Sequence, residues 1–310
     1  GYPVLIRPSY VLSGAAMNVV WDDDSLTKYL DNAVDVNPEH PVVITKFVEN
    51  AKELEIDAVA KDGKILIYAI TEHIENAGTH SGDAYLMLPA QRIYISTINE
   101  IKKIAKNISQ ALNITGPFNI QFLAYKTHVK VIECNLRASR SFPFCSKIFK
   151  HNMIEIATKA ILGHDVTAVD KSSLVLDYVG VKAAQFSFSR LKGVDPILGV
   201  EMASTGEVAC ISHNINDAFL KSFVSVHNKF AENKEDNEPI NILLSTGNIE
   251  SKGKFLESTI LLKSLGHKLY ASPGTANFLL DNNIPVETLH WPLEKKEPNI
   301  ITYLLNKKID

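Results

Sequence analysis

Cysteine is nearly absent from this chain: Cys134, Cys145 and Cys210 are three among 310 residues, an odd number with no CxxC spacing. That excludes a disulfide framework, offers no zinc signature and fits a reducing compartment. Also lacking is any run of the roughly 18 to 20 unbroken apolar residues that a membrane span requires. Neither sign of charge dominates, since 32 Lys and Arg stand against 35 Asp and Glu for a formal charge of −3. A chain so balanced has no electrostatic footprint for nucleic acid, so neither nucleic acid nor a membrane is an expected partner. The opening GYPVLIRPSYVLSG has no initiator Met and no basic segment ahead of an apolar stretch, so it reads as an interior cut and not as a targeting peptide. The closing LLNKKID leaves a helical pattern without a Gly or Pro stop, and that end reads as cut too. No internal repeat is present.

What remains is a globular composition, 45% hydrophobic and 22% charged, long enough for about two domains. Residues 41–74 alternate as strands, HPVVITKF and then ELEIDAVA, with Asp62-Gly63 turning the chain into KILIYAITEHI, a hairpin signal. In residues 97–113, Ile98, Ile101, Ile104, Ile108 and Leu112 fall at spacings of three and four, one apolar stripe of a helix covering that sheet. A second hairpin follows, FNIQFLAY and HVKVIECN. Strand periodicity puts Gln121 opposite Phe118, Ile120 and Phe122, and places Glu133 and Asn135 on one face. Residues 151–170 read as helical, and another helix is expected around NDAFLKSFVSV. The polar run HNKFAENKEDNEP, residues 227–239, has linker composition. After it, INILLS, a helix near 251–265, KLYAS, a helix from about Thr275 and PVETL alternate as β and α, hence a parallel sheet.

Gln121, Glu133, Asn135, Arg137 and Arg140 carry the strongest chemical signal. Mg²⁺ takes oxygen ligands from one or two carboxylates or amides plus nucleotide phosphates, which suits Glu133 and Asn135. Arginines supply forked donors for phosphate or a bound anion. The same residues would also serve as a solvated polar strand face. In EHIENAGTHSGD, residues 72–83, backbone N–H groups and hydroxyls can meet phosphates. His73 and His80 there match no zinc spacing and are equally consistent with structural histidines. RPSYVLSG suits either a phosphate-covering loop or an ordinary hairpin.

Taken together, RPSYVLSGAAM, EHIENAGTHSGD, FNIQF, VIECNLRASRSFPF and EMASTGEV occur in the order seen in carbamoyl-phosphate synthetase large subunits, and resemble their second synthetase half. The resemblance runs from Gly1 to about Val208. From Ile240 it continues more loosely into a methylglyoxal-synthase-like domain. It implies an α/β chain: a partial ATP-grasp unit, antiparallel sheet with covering helices, then a small, truncated parallel α/β domain. The expected divisions are 1–160 for nucleotide and metal binding, 161–230 as an extension, 231–239 as linker and 240–310 as allosteric domain.

The resemblance further implies phosphorylation of carbamate by ATP with Mg²⁺ (or Mn²⁺), giving carbamoyl phosphate for pyrimidine, or else arginine and urea, biosynthesis. It makes Arg7 a phosphate contact, and Val48 and Glu53 hinge and ribose contacts. Gly78, Thr79, His80 and Ser81 become the nucleotide loop, and Gln121, Glu133 and Asn135 the Mg²⁺ ligands. Arg137 and Arg140 face the phosphoryl acceptor, and Glu53, His73 and Ser81 hold K⁺. Lys46 stands where bacterial relatives carry a histidine near the adenine, and Ser13-Gly14 replaces a Gly-Gly pair. The lobe ahead of Gly1, the first synthetase half and a glutaminase subunit or domain are missing partners, so the chain alone is expected to be inactive. In ASPGTANFLL a strand ends in Ser-Pro-Gly-Thr just before a helix, which is an ordinary turn with an N-cap from Thr275 or an anion site with Ser272 and Thr275 as its candidates. The resemblance makes it the effector site, with a nucleotide as the favoured ligand and a cytoplasmic pyrimidine-pathway enzyme favoured over a mitochondrial urea-cycle one. The alternatives are another ATP-grasp carboxylate ligase, or a nucleotide-binding regulatory fragment without turnover.

Overall fold

The computed structural model describes residues 1–9, 17–36, 41–169, 175–187, 198–226 and 238–310. Ser13, Gly14 and residues 227–237 of the expected linker lie outside them. The chain forms two compact units, Gly1–Phe230 and Ala231–Asp310. Among the described residues no helix is long and apolar enough to cross a membrane.

The first unit opens with a small antiparallel sheet of β1 (Val4–Pro8), β2 (Asn18–Val20) and β3 (Val42–Lys46), in the order β2-β1-β3. Helix α1 (Asp23–Val36) packs on it, with Leu26, Tyr29 and Leu30 closing over Ile6 and Val20. The main sheet has β4 (Lys52–Lys61), β5 (Lys64–Asn76), β6 (Leu86–Leu88), β7 (Gly116–Tyr125), β8 (His128–Asn135), β9 (Val179–Gln185) and β10 (Gly206–Ser212). Its order is β10-β9-β6-β5-β4-β7-β8, and every pairing is antiparallel. The Asp62-Gly63 turn joins β4 to β5 with φ of 49° and 74°, as a two-residue hairpin with two positive φ values demands.

Alternation along β4 sorts the sheet into two sides. Leu54, Ile56, Ala58 and Ala60 join Phe118, Ile120 and Phe122 beneath helix α2 (Ile95–Ala111), which contributes Ile98, Ile101 and Ala105. Ile104 and Ile108 pack against that core, but Leu112 does not. It is the C-cap, one position beyond the last helical residue, and is 55% exposed. On the other side Val59, Ile67 and Ala69 are covered by α3 (Phe142–Phe149) and α4 (Met153–Ile161). The helical reading of 151–170 ends early because Gly163, at φ 80°, follows the C-cap Leu162 and stops α4. Helix α5 (Ile215–Val226) packs Ala218 and Phe219 against Val179, Val181 and Met87.

The second unit is a parallel sheet of β11 (Asn241–Leu244), β12 (Lys268–Ala271) and β13 (Glu287–Thr288), in that order. Helix α6 (Ile249–Ser264) links the first two strands and α7 (Pro273–Asp281) the next two, followed by α8 (Ile300–Leu305). Leu244, Leu269, Ala271, Ala276, Leu279 and Ile284 form its core.

Candidate functional site

The polar side of β4 presents Glu53, Glu55 and Asp57 at every second position, and all three are buried. Such a row persists only if each carboxylate is met by donors or cations. Glu55 lies 2.9 Å from Nε2 of the fully buried His73. Burial alone would raise the Glu55 carboxyl, but His73 and Lys182 outweigh it and hold it below its ordinary value. The His73 imidazole, against its own burial, is pushed up by Glu53 and Glu55, so the two form an ion pair. Asn119 Nδ2 bridges Glu55 and Asp57 at 3.1 and 3.0 Å. Asp57 also accepts from Ser139 Oγ at 2.6 Å and Ser141 Oγ at 2.7 Å.

Next to this row lies the loop of residues 78–83. Gly78 takes φ 117°, with the Phe47 ring 3.1 Å from where a Cβ would stand, so only glycine fits comfortably. His80 Nδ1 accepts from the Gly82 amide at 3.0 Å, which puts the proton of a neutral ring on Nε2, and burial lowers its pKa. The buried Lys182 ammonium donates to the carbonyls of Ser81 and Gly82, each at 3.2 Å, and desolvation depresses its pKa. Asp83 accepts from the amides of Ala203 and Ser204, tying the loop to the EMASTGEV segment. Arg140 Nη1 reaches Ser204 Oγ at 2.8 Å and Met202 Sδ at 3.0 Å.

The outer hairpin completes the face. Asn135 Nδ2 donates to Glu133 Oε1 at 2.8 Å, Gln121 Nε2 to Ser81 Oγ at 3.2 Å, and Arg7 Nη2 stands 3.5 Å from Glu133 Oε2. Arg7, Ser81, Gln121, Glu133 and Asn135, from four separate parts of the chain, thus converge. Arg137 is exposed and its guanidinium turns back to the Ala138 carbonyl. Lys46 is turned away from this group, donating to the carbonyls of Gly1 and Tyr2 at 3.0 and 2.7 Å. Thr79, in the 78–83 loop, and Val48 are half-buried. A cavity of about 360 Å³ lined by Tyr68, Lys102, Lys106 and Gln110 lies on the α2 side and includes none of these residues.

In the second unit Ser272 and Thr275 are buried where β12 passes into α7, whose N-cap is Ser272 and not Thr275, because the helix already begins at Pro273. Thr275 Oγ1 accepts from the Thr246 amide at 3.1 Å, and Ser272 Oγ lies 3.1 Å from Ser245 Oγ. Lys252 Nζ would lie 3.6 Å from a Cβ placed on Gly274, so a cation stands at the same helix start.

Residues 1–169 match the family described as carbamoyl-phosphate synthase L chain, ATP binding domain, more than half of the chain. The chain belongs to this carbamoyl-phosphate synthase family. Residues 254–310 match the MGS-like domain. The multifunctional protein pyr-3 of Neurospora crassa is 52% identical over all of this chain and 17% of its own length. Multifunctional protein URA2 of Saccharomyces cerevisiae is 50% identical over 100% and 14%, respectively. The mitochondrial carbamoyl-phosphate synthase [ammonia] of Homo sapiens is 47% identical over 95% of this chain and 19% of its own. The chain therefore spans about a sixth of these relatives. Among solved structures, the biotin carboxylase domain of Hydrogenobacter thermophilus 2-oxoglutarate carboxylase, in complex with MgADP, ADP and bicarbonate, superposes with TM-score 0.58. That match has 12% identity over 74% of this chain and 57% of the other. Carboxyaminoimidazole ribonucleotide synthase complexed with ATP matches at TM-score 0.56, with 14% identity over 74% and 62%. These likenesses establish an ATP-grasp fold for the synthase portion, joined to a small parallel MGS-like domain.

Sequence reasoning missed Glu55, Asp57, Asn119, Asp83, Lys182 and Lys252. For the first two a signal existed, since three acids at period two on one strand form a single face. Lys182 had none, because β9 reaches the site only through sheet order.

Proposed function

We propose that this face binds MgATP and transfers its γ-phosphoryl group to carbamate, giving carbamoyl phosphate and ADP. The observation that carries the reading is the convergence of Arg7, Ser81, Gln121, Glu133 and Asn135. Among the described residues no three His, Cys, Asp or Glu side chains gather into a metal-holding group. One carboxylate with two amides is instead the donor set of a hard cation whose remaining ligands are phosphate oxygens. When bound, Mg²⁺ (or Mn²⁺) neutralises charge on the transferring group.

The residues do the rest by positioning and electrostatics, and no protein nucleophile is needed. Arg7 and Glu133, an ion pair at 3.5 Å, would have to part for the arginine to meet a phosphate and the carboxylate its cation. The loop at Gly78, Thr79, His80 and Ser81 offers amides and hydroxyls to nucleotide phosphates. Val48 and Glu53 border the nucleoside end; Lys46 would have to leave the Gly1 and Tyr2 carbonyls to join them. Arg140 and Arg137, just beyond the end of β8, face the acceptor. For K⁺, Glu53 and Ser81 can offer side-chain oxygens, whereas His73 has given Nε2 to Glu55, and its buried Nδ1 has no partner among the described residues.

The larger protein would supply the first synthetase half and a glutaminase subunit or domain, and feed cytoplasmic pyrimidine synthesis. Residues 240–310 would be its allosteric domain, with residues 1–160 binding nucleotide and metal. Ser272, Thr275 and Lys252 would receive the phosphate of a nucleotide effector at the α7 N-terminus. In the full-length enzyme, Glu133→Ala is expected to abolish MgATP-dependent carbamoyl phosphate synthesis while circular dichroism stays native. Retained turnover would rule the assignment out.

A further inference from the structure

We infer that Asp57 is a positioning residue that pins the 136–141 connection, and with it Arg140, in place for the phosphoryl acceptor. The inference rests on the functional reading of Arg140 just given. The connection spans only from the end of β8 to the start of α3. Ser139 and Ser141 flank Arg140, and both hydroxyls turn to the one carboxylate, Ser139 to Oδ1 at 2.6 Å and Ser141 to Oδ2 at 2.7 Å. The two hydroxyl oxygens stand 2.9 Å apart over the carboxylate, and Ser141 Oγ also lies 3.3 Å from Glu55 Oε2. Asn119 Nδ2 fixes Oδ1 from β7 at 3.0 Å, and Cys145 Sγ reaches Oδ2 from α3 at 3.4 Å.

With its neighbours directed to the sheet, Arg140 projects the other way, to Ser204 Oγ. Ser204 is itself held by Asp83 through its amide at 2.9 Å and by the Gly82 carbonyl at 3.2 Å. Arg140 is therefore fixed at both ends, its backbone by Asp57 and its guanidinium by the Gly82–Ser204 contact. A merely structural role would not call for an acid. Val59, two positions along the same face, packs into the apolar cluster under α3, and burying an acid there is less favourable than burying such a side chain, as the upward push of burial and Glu55 on the Asp57 carboxyl reflects. The carboxylate earns its place by accepting from both sides of one arginine at once.

The test uses the full-length enzyme carrying Ser139→Ala, Ser141→Ala, the double change, and Ser139→Thr/Ser141→Thr, which keeps both hydroxyls. The readout is ATP formation from MgADP and carbamoyl phosphate. A displaced arginine should raise the KM for carbamoyl phosphate or lower kcat about tenfold or more in the double alanine variant. KM for MgADP should stay within about twofold, and the threonine pair should recover most of the loss. Equal kinetics in the double alanine variant and wild type, or parallel weakening of both substrates, overturns the inference. Hydrogen exchange keeps this separate from the functional reading. Faster exchange at 136–141 with β4 unchanged supports the pin whether or not wild type makes ATP, and unchanged exchange there overturns it. Failure of wild type to make ATP overturns the functional reading instead.

Discussion

Glu53 is 6% exposed and receives the Gly78 amide. Burial pushes its pKa up to about 7; His73 opposes the shift, while Glu55 and Glu133 add to it. In the unfolded chain the same group titrates near 4.5. Below that value both states hold the proton and nothing is lost. As pH rises from about 4.5 through about 7, the unfolded state releases the proton first, so stability falls by something on the order of 3 kcal/mol. Thermal melting of the protein against pH should therefore show a declining component across that window which Glu53→Gln lacks. Identical slopes in the two proteins would show that Glu53 is not held in this way. A bound monovalent cation beside Glu53 would favour its ionised form and shrink the same component.

At the scale of elements, β4 organises the site: one face belongs to the apolar core under α2, and the other aligns Glu53, Glu55 and Asp57 with His73, Asn119 and Lys182. Period-two reading of the sequence recovers the strands, the Asp-Gly turn and the placement of Gln121 against Phe118, Ile120 and Phe122, because these depend on local alternation. It shows that the acids of β4 share a face but not that they are buried, since their burial depends on α3 and the 136–141 connection closing over them. Lys182 is still less legible, as its strand joins the sheet through the three-residue β6, about a hundred residues earlier in the chain. Gly82 shows how tightly these parts meet. A Cβ there would stand 2.7 Å from Met202 Sδ and 3.2 Å from Arg140 Nη1. Gly82→Ala is expected to lower stability by about 1–3 kcal/mol and, by moving Arg140, to raise the KM for carbamoyl phosphate. Denaturant melts with steady-state kinetics check both, and wild-type values in both would mean the loop yields without disturbing Arg140.

For the whole molecule, two units with separate cores divide the proposed work, phosphoryl transfer in the first and effector binding in the second. Any coupling between them is a binding free energy shared in both directions, so an effector that tightens MgATP binding must itself bind more tightly when MgATP is present. The division into an antiparallel unit and a parallel one is legible from hydrophobic patterning alone. The convergence of Arg7 with Glu133 is not, because it joins two sheets separated by more than a hundred residues of chain. The proposed function has this convergence handle carbamoyl phosphate and MgADP. In the full-length enzyme, the comparison to make is wild type with Glu133→Gln in ATP formation from those two compounds, which on the proposed reading takes place at this face. ATP formation by wild type and its loss in the folded variant are expected. An unimpaired variant, or a wild type that makes no ATP from carbamoyl phosphate, would contradict the proposed function.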